Sequence, residues 1–276
     1  MSTGSFATVY SHYFKNYYRS KSFYLMLFLD FFILALFTYF SLRYHSKLPA
    51  FFSRFVSHPS PSLVQSAFNY IWSIVLELLP VFSAVFFGSP ALSSEIESRT
   101  AFNVFPLPVS RYTLHLGKFF AALTATALVL LIFGAGQYLN YLYIFHSLEG
   151  YSFYLSLGLA LVFGLAILSI TFLVSAIYNK NLYAYITVFL LYFLVFNAVN
   201  LIFEFLYNFT PALLLSNAAD IILEVFINID PFAFSTSFSI APASSSMVIF
   251  DVSVMLLYTF VALALSLLIF DRREIK

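Results

Sequence analysis

The chain has 276 residues, of which 62% are hydrophobic, 21% aromatic and only 9% charged, with a net charge of +1. Soluble domains carry about 25% charged residues, so this composition excludes a soluble fold of this size, and the charge balance offers nothing to nucleic acid. There is no cysteine, which removes disulfides, thiolate nucleophiles and thiolate metal sites.

In chain order, residues 5–21 come first. Phe6, Val9, Tyr10, Tyr13, Phe14 and Tyr17 recur at helical spacing, with His12, Lys15, Asn16 and Arg19 on the other face. This stripe predicts an amphipathic helix in the interface plane, its aromatics in the headgroup layer. The apolar run that follows is too long for a cleaved signal peptide and lacks a small-residue cleavage site. A bilayer crossing needs about 20 mostly apolar residues. Six segments meet that length: Phe23–Leu42, Ala67–Phe87, Phe119–Phe145, Phe153–Tyr178, Leu182–Leu206 and Met247–Phe270. The predicted fold is an all-α polytopic membrane protein, with residues 1–276 forming one transmembrane domain.

Lys and Arg flanking the spans set the orientation. Lys15, Arg19, Lys21, Arg99, Arg111, Lys118, Lys180, Arg272, Arg273 and Lys276 lie on one side, and Arg43, Lys47 and Arg54 on the other. Both termini are therefore expected in the cytoplasm of a cell whose plasma membrane holds the chain. The long outer loop, 208–246, carries an apolar patch, Pro211–Leu215, and a segment Asp220–Ile229 that Asn217 could cap and Pro231 would stop. These pieces are too short to cross and are expected as short re-entrant or interfacial helices packed on protein. Asn208-Phe-Thr210 is a glycosylation sequon of low information content.

The stretch Ser94–Lys118 is polar in an otherwise apolar chain. Ser94 and Glu97 fit a capping box, so a helix is expected to begin at Glu95 and extend to 106. Glu95 and Arg99 stand four apart and can pair. Pro106 and Pro108 end the helix, and Ser110 can cap the next one, which runs through Arg111 and Lys118 into the third span.

The run Glu95, Glu97, Thr100, then Pro108, Val109, Ser110 and Arg111, then Gly117 and Lys118 resembles the permease subunits of type-2 ABC (ATP-binding-cassette) transporters. Their pattern is roughly E-x-E-x-G-T, P-V-S-R and G-K; here Arg99 stands where that family usually has glycine. The resemblance implies a subunit that pairs with a second permease, either a copy or a sister chain, and with two cytoplasmic ATPase subunits. It implies that the helix between spans two and three docks on the ATPase through Glu95, Glu97, Arg99, Thr100, Phe102, Phe105 and Arg111. Export is the family's tendency. The chain lacks a phosphate loop of its own: Gly117-Lys118 is followed by Phe119, and position 112 is Tyr. ATP and Mg are expected in the partner, and this chain is not expected to be an enzyme.

Two carboxylates fall inside spans, Asp30 in the first and Glu77 in the second. An ionised carboxylate at mid-bilayer costs about 2.5–3.5 kcal/mol on insertion scales. Each is either a pathway or interface group or a carboxyl bonded to a hydroxyl of a neighbouring helix. Pro80, three residues after Glu77, frees a backbone carbonyl near residue 76. The 57 Phe and Tyr residues are mostly expected to face lipid. The five histidines show no metal spacing. The alternative to a permease is a stand-alone secondary transporter or channel component. Such a transporter would usually show an internal repeat, and the two halves display none that convinces.

Overall fold

The computed structural model describes residues 3–48, 60–98, 109–207, 211–227 and 242–272. They are helical, with no strand among them. Six segments are long and apolar enough to cross a membrane, as expected, which makes this a multi-pass membrane protein.

The first helix, α1 (Thr3–Tyr18), is followed by α2 (Lys21–Tyr44), whose N-cap Ser20 accepts from the Phe23 amide, and by a tight turn at His45–Lys47. Helix α3 (Pro61–Gly88) starts on Ser60, whose side chain accepts from the Leu63 amide, with proline at the first turn. It runs unbroken through Pro80. A short helix α4 (Pro90–Glu97) leads away from it. Helix α5 (Arg111–Phe145) ends at His146, the only non-glycine residue with positive φ among those described. Helix α6 (Tyr151–Ile177) precedes the fifth crossing, built from α7 (Asn181–Leu190), a π-helical stretch (Leu191–Asn197) and α8 (Ala198–Tyr207). A short α9 (Leu215–Glu224) and the final α10 (Ser245–Arg272) complete the bundle.

Helices α3, α5 and α6 form the interior. In the second and fourth spans 67% of the apolar window is buried, against 11% in the first and 22% in the fifth. Lipid tails are as apolar as leucine, so close packing rather than hydrophobicity must hold the interior together. The small residues of α5 serve this: Ala121, Ala122 and Ala125 are fully buried. At Gly136 a β-carbon would sit 2.1 Å from Leu34 Cδ1, so any larger residue here would force the Leu34 side chain out of its place on α2.

Helix α9 is a short helix in the 208–246 loop, shifted five residues toward the N-terminus from the expected Asp220–Ile229 piece, and it packs on α3, α6 and α10. It has ten residues, about 15 Å, too short to cross. Two serine bonds tie it to the bundle: Ser216 Oγ donates to the Phe196 carbonyl (3.0 Å), and Ser156 Oγ to the Ile222 carbonyl near its C-terminal end (2.7 Å). One expectation is corrected here. Asn217 lies inside α9, and the helix begins at Leu215 after an extended Leu214 that makes no side-chain cap. The amphipathic helix at the N-terminus also differs in what its stripe meets. Tyr10 Oη bonds Thr124 Oγ1 (3.0 Å) and the Tyr17 hydroxyl donates to the Phe87 carbonyl (2.8 Å), so the stripe faces the bundle. His12, Lys15 and Asn16 stay exposed.

Candidate functional site

The end of the bundle that carries both termini gathers α1, α4 and the start of α5 around one buried ion pair. Lys118 Nζ lies 2.5 Å from Glu95 Oε2, with the two side chains 1% and 16% exposed. A buried lysine costs several kcal/mol unless its hydrogens are used. Here the ammonium also donates to the Ala91 carbonyl (3.0 Å) and sits 4.9 Å from the centre of the Tyr13 ring. The Tyr13 hydroxyl donates to the other Glu95 oxygen (2.8 Å). Burial, and then the Glu95 charge, push the Tyr13 phenol above its ordinary range, so it remains a donor. Three helices thus meet at one carboxylate.

The residue before the lysine permits that meeting. A β-carbon on Gly117 would lie 2.5 Å from Val9 Cγ1, so α1 can cross α5 only over glycine. Helix α4 is secured from the other side by α6. Ser175 Oγ accepts from the Leu92 and Ser93 amides (3.1 Å each) and donates to the Ser89 carbonyl (2.7 Å). This hydroxyl caps α4 in the absence of a side-chain cap from Ser89 itself.

Of the residues singled out in the sequence, Glu95 is the hub just described. Glu97 is exposed, and its Oε2 accepts from the Asn181 amide (2.9 Å), placing a negative charge at the N-terminus of α7. Arg111 Nη1 donates to the Asp271 carbonyl (2.6 Å), fastening the start of α5 to the end of α10. Ser110 caps α5 as expected, accepting from the Thr113 amide (3.2 Å). Arg99, Thr100, Phe102 and Phe105 lie outside the described residues, as do the sequon and most of the expected 94–106 helix.

The expected start at Glu95 is corrected. The helix begins at Pro90 and ends at Glu97, and Ser94 is an interior residue whose hydroxyl donates to the Pro90 carbonyl. Proline is pre-organised for a first turn, and Ser175 supplies the cap, so the capping-box residues are not needed as one.

The two carboxylates within spans are not brought together with this hub. Glu77 Oε1 accepts from the Tyr192 hydroxyl (3.3 Å), joining α3 to the π-helical stretch. Asp30 is fully buried, and neither of its oxygens bonds a described residue. His115, buried between Phe172 and Phe270, bonds Ser266 Oγ through Nε2 (2.8 Å), an arrangement that serves packing.

Sequence reasoning missed a second polar cluster at the opposite end. Asn69 Nδ2 donates to Glu149 Oε2 (2.8 Å), and Gln137 Nε2 to Asn69 Oδ1 (3.1 Å), all three groups being buried. Burial outweighs the Asn69 bond and raises the Glu149 carboxyl to about 7. The signal was available: amides at 69 and 137 interrupt apolar spans, and each needs a partner.

The family model for "ABC-2 family transporter protein" matches residues 7–275. No curated protein matches the chain.

Proposed function

The chain belongs to the ABC-2 family of transporter proteins, a membrane permease component rather than an ATPase, and from that premise we propose that it works as one half of an ATP-driven exporter. It pairs with a second permease, a copy or a sister chain, and the pathway forms between the two. Separate cytoplasmic ATPase subunits bind ATP and Mg. Both termini and the polar segment Ser94–Lys118 face the cytoplasm of a cell whose plasma membrane holds the protein.

The observation that favours coupling here is the convergence on α4. This helix is tied through Glu95 to α1 and α5, through the Ser175 hydroxyl to α6, and through Glu97 to α7. A push on the segment that follows it, where Arg99, Thr100, Phe102 and Phe105 lie, would be shared among five helices at once. Glu95 acts as the internal fastener, while Glu97, Arg111 and the residues after 98 supply the outward surface. Asp30 and Glu77 are read as groups of the pathway or the permease pairing surface.

The test is co-purification from cells of the source organism expressing the tagged chain, with any co-eluting ATPase identified by mass spectrometry. The expected result is a complex that survives in wild type and is lost in Phe102→Asp with Phe105→Asp, while the elution profile of the permease stays unchanged. Retention of the ATPase by that double variant would overturn the coupling assignment.

A further inference from the structure

At the end of the bundle opposite the termini, the last turns of α2 and the first turns of α3 diverge around a cavity of about 310 Å³. Phe37, Phe40, Tyr44, Phe68, Ile71 and Trp72 form most of its wall. The inner wall is rigid. Trp72 is buried, packs edge-on against Phe37 at 5.4 Å, and donates its indole N–H to Ser41 Oγ (3.0 Å). The mouth is apolar and open: Phe40, Tyr44 and Ile71 are 52%, 41% and 40% exposed. Apart from Ser41 and His45 the lining is apolar or aromatic, which suits a hydrocarbon chain.

The rim supplies the other half of the specificity. Lys47 Nζ sits 5.1 Å from the centre of the Tyr44 ring, and the Arg43 guanidinium 5.9 Å from it, so two cations are gathered on a ring that also lines the cavity. Arg43 is further held by the Tyr39 hydroxyl (3.1 Å). Neither forms an ion pair with a described acid. Two cations at the boundary of an apolar slot, neither paired with an acid among the described residues, are complementary to a phosphate attached to acyl chains.

We propose that this cavity is a binding site for an anionic phospholipid: one acyl chain fills the slot against Trp72, and the headgroup phosphate lies between Arg43 and Lys47. In the orientation proposed above, that lipid belongs to the outer leaflet. The assignment is independent of any transport activity and of the ATPase.

Trp72 is the only tryptophan in the chain, so its fluorescence reports on this site alone. Full-length protein in detergent is titrated with phosphatidylglycerol or phosphatidylcholine carrying dibrominated acyl chains. Saturable quenching is expected with both, at concentrations on the order of tenfold lower for the anionic lipid. In Arg43→Gln with Lys47→Gln, two exposed positions that do not threaten the fold, the anionic curve is expected to move onto the zwitterionic one. High salt should narrow the difference in wild type. Ile71→Phe, which narrows the mouth, is expected to weaken quenching by both lipids. Equal quenching by the two lipids in wild type overturns the headgroup assignment, and absence of saturable quenching overturns the site, as when a second protomer covers it.

Discussion

At the end carrying both termini, the buried polar groups are charged and matched: Glu95 faces Lys118, and the remaining oxygen takes the Tyr13 hydroxyl. At the other end Asn69, Gln137 and Glu149 form a bonded chain of amides and one carboxyl with no cation. Both clusters cross-link helices, but they solve the desolvation problem differently. A matched ion pair is costly to bury and far costlier to break, because removing either member strands the other. A chain of amides ending on a single carboxyl carries at most one charge, and its stability follows that acid's proton. Rigidity is therefore expected where α1, α4 and α5 meet, and pH sensitivity where the loop Ser147–Gly150 joins α5 to α6.

The largest effect should come from breaking the ion pair alone. Lys118→Met leaves Glu95 buried without its cation and is expected to cost about 3–5 kcal/mol, read as a lowered midpoint of unfolding in detergent. Adding Glu95→Gln should recover much of the loss, since the stranded charge is then gone. Next, Gly117→Val drives a side chain into Val9 and should cost about 1–3 kcal/mol, with faster proteolysis of α1. Val9→Ala is expected to rescue it.

The opposite end is probed by pH. Glu149 ordinarily titrates near 4.5, and here burial raises it to about 7. Below 4.5 both folded and unfolded chains hold the proton. Between 4.5 and about 7 only the folded chain holds it, so this group's contribution to stability should decline across that window and level off above it. Glu149→Gln keeps an oxygen acceptor for Asn69 and should flatten the curve; an unchanged slope would assign the pH dependence elsewhere. The smallest effect is expected for Glu97→Gln, which removes a charge from the exposed N-terminus of α7, at about 0.3–1 kcal/mol.

The fold was largely readable because a transmembrane span announces itself by length and hydropathy. All six were expected, each one to eight residues short of its helix at one or both ends. The shortfall is greatest where α3 begins at Pro61 and α5 at Arg111, because those first turns are too polar in composition to read as part of a span. Capping was legible at Ser110, where the serine stands directly before the helix. It misled at Ser94 and Asn217, since whether such a residue caps or merely lies within a helix depends on where the chain turned earlier. The Glu95–Lys118 pair joins residues 23 apart in sequence, and no local rule links them: Arg99, four residues on, was the nearer candidate. Likewise Asn69 and Glu149 are separated by 80 positions, so their meeting follows only from packing α3 beside α5 and α6.

The fifth crossing contains a π-helical stretch at Leu191–Asn197, held on its inner side by the bond from Tyr192 to Glu77. A π-turn stores one residue beyond the α-helical count. Were that surplus passed back into regular helix, everything after it would swivel by about 100° and advance by about 1.5 Å. The half of this crossing that follows the π-helical stretch, α8, carries Leu201, Phe205 and Leu206 exposed on its surface. Such a shift would present a different set of side chains to the surroundings without breaking the rod.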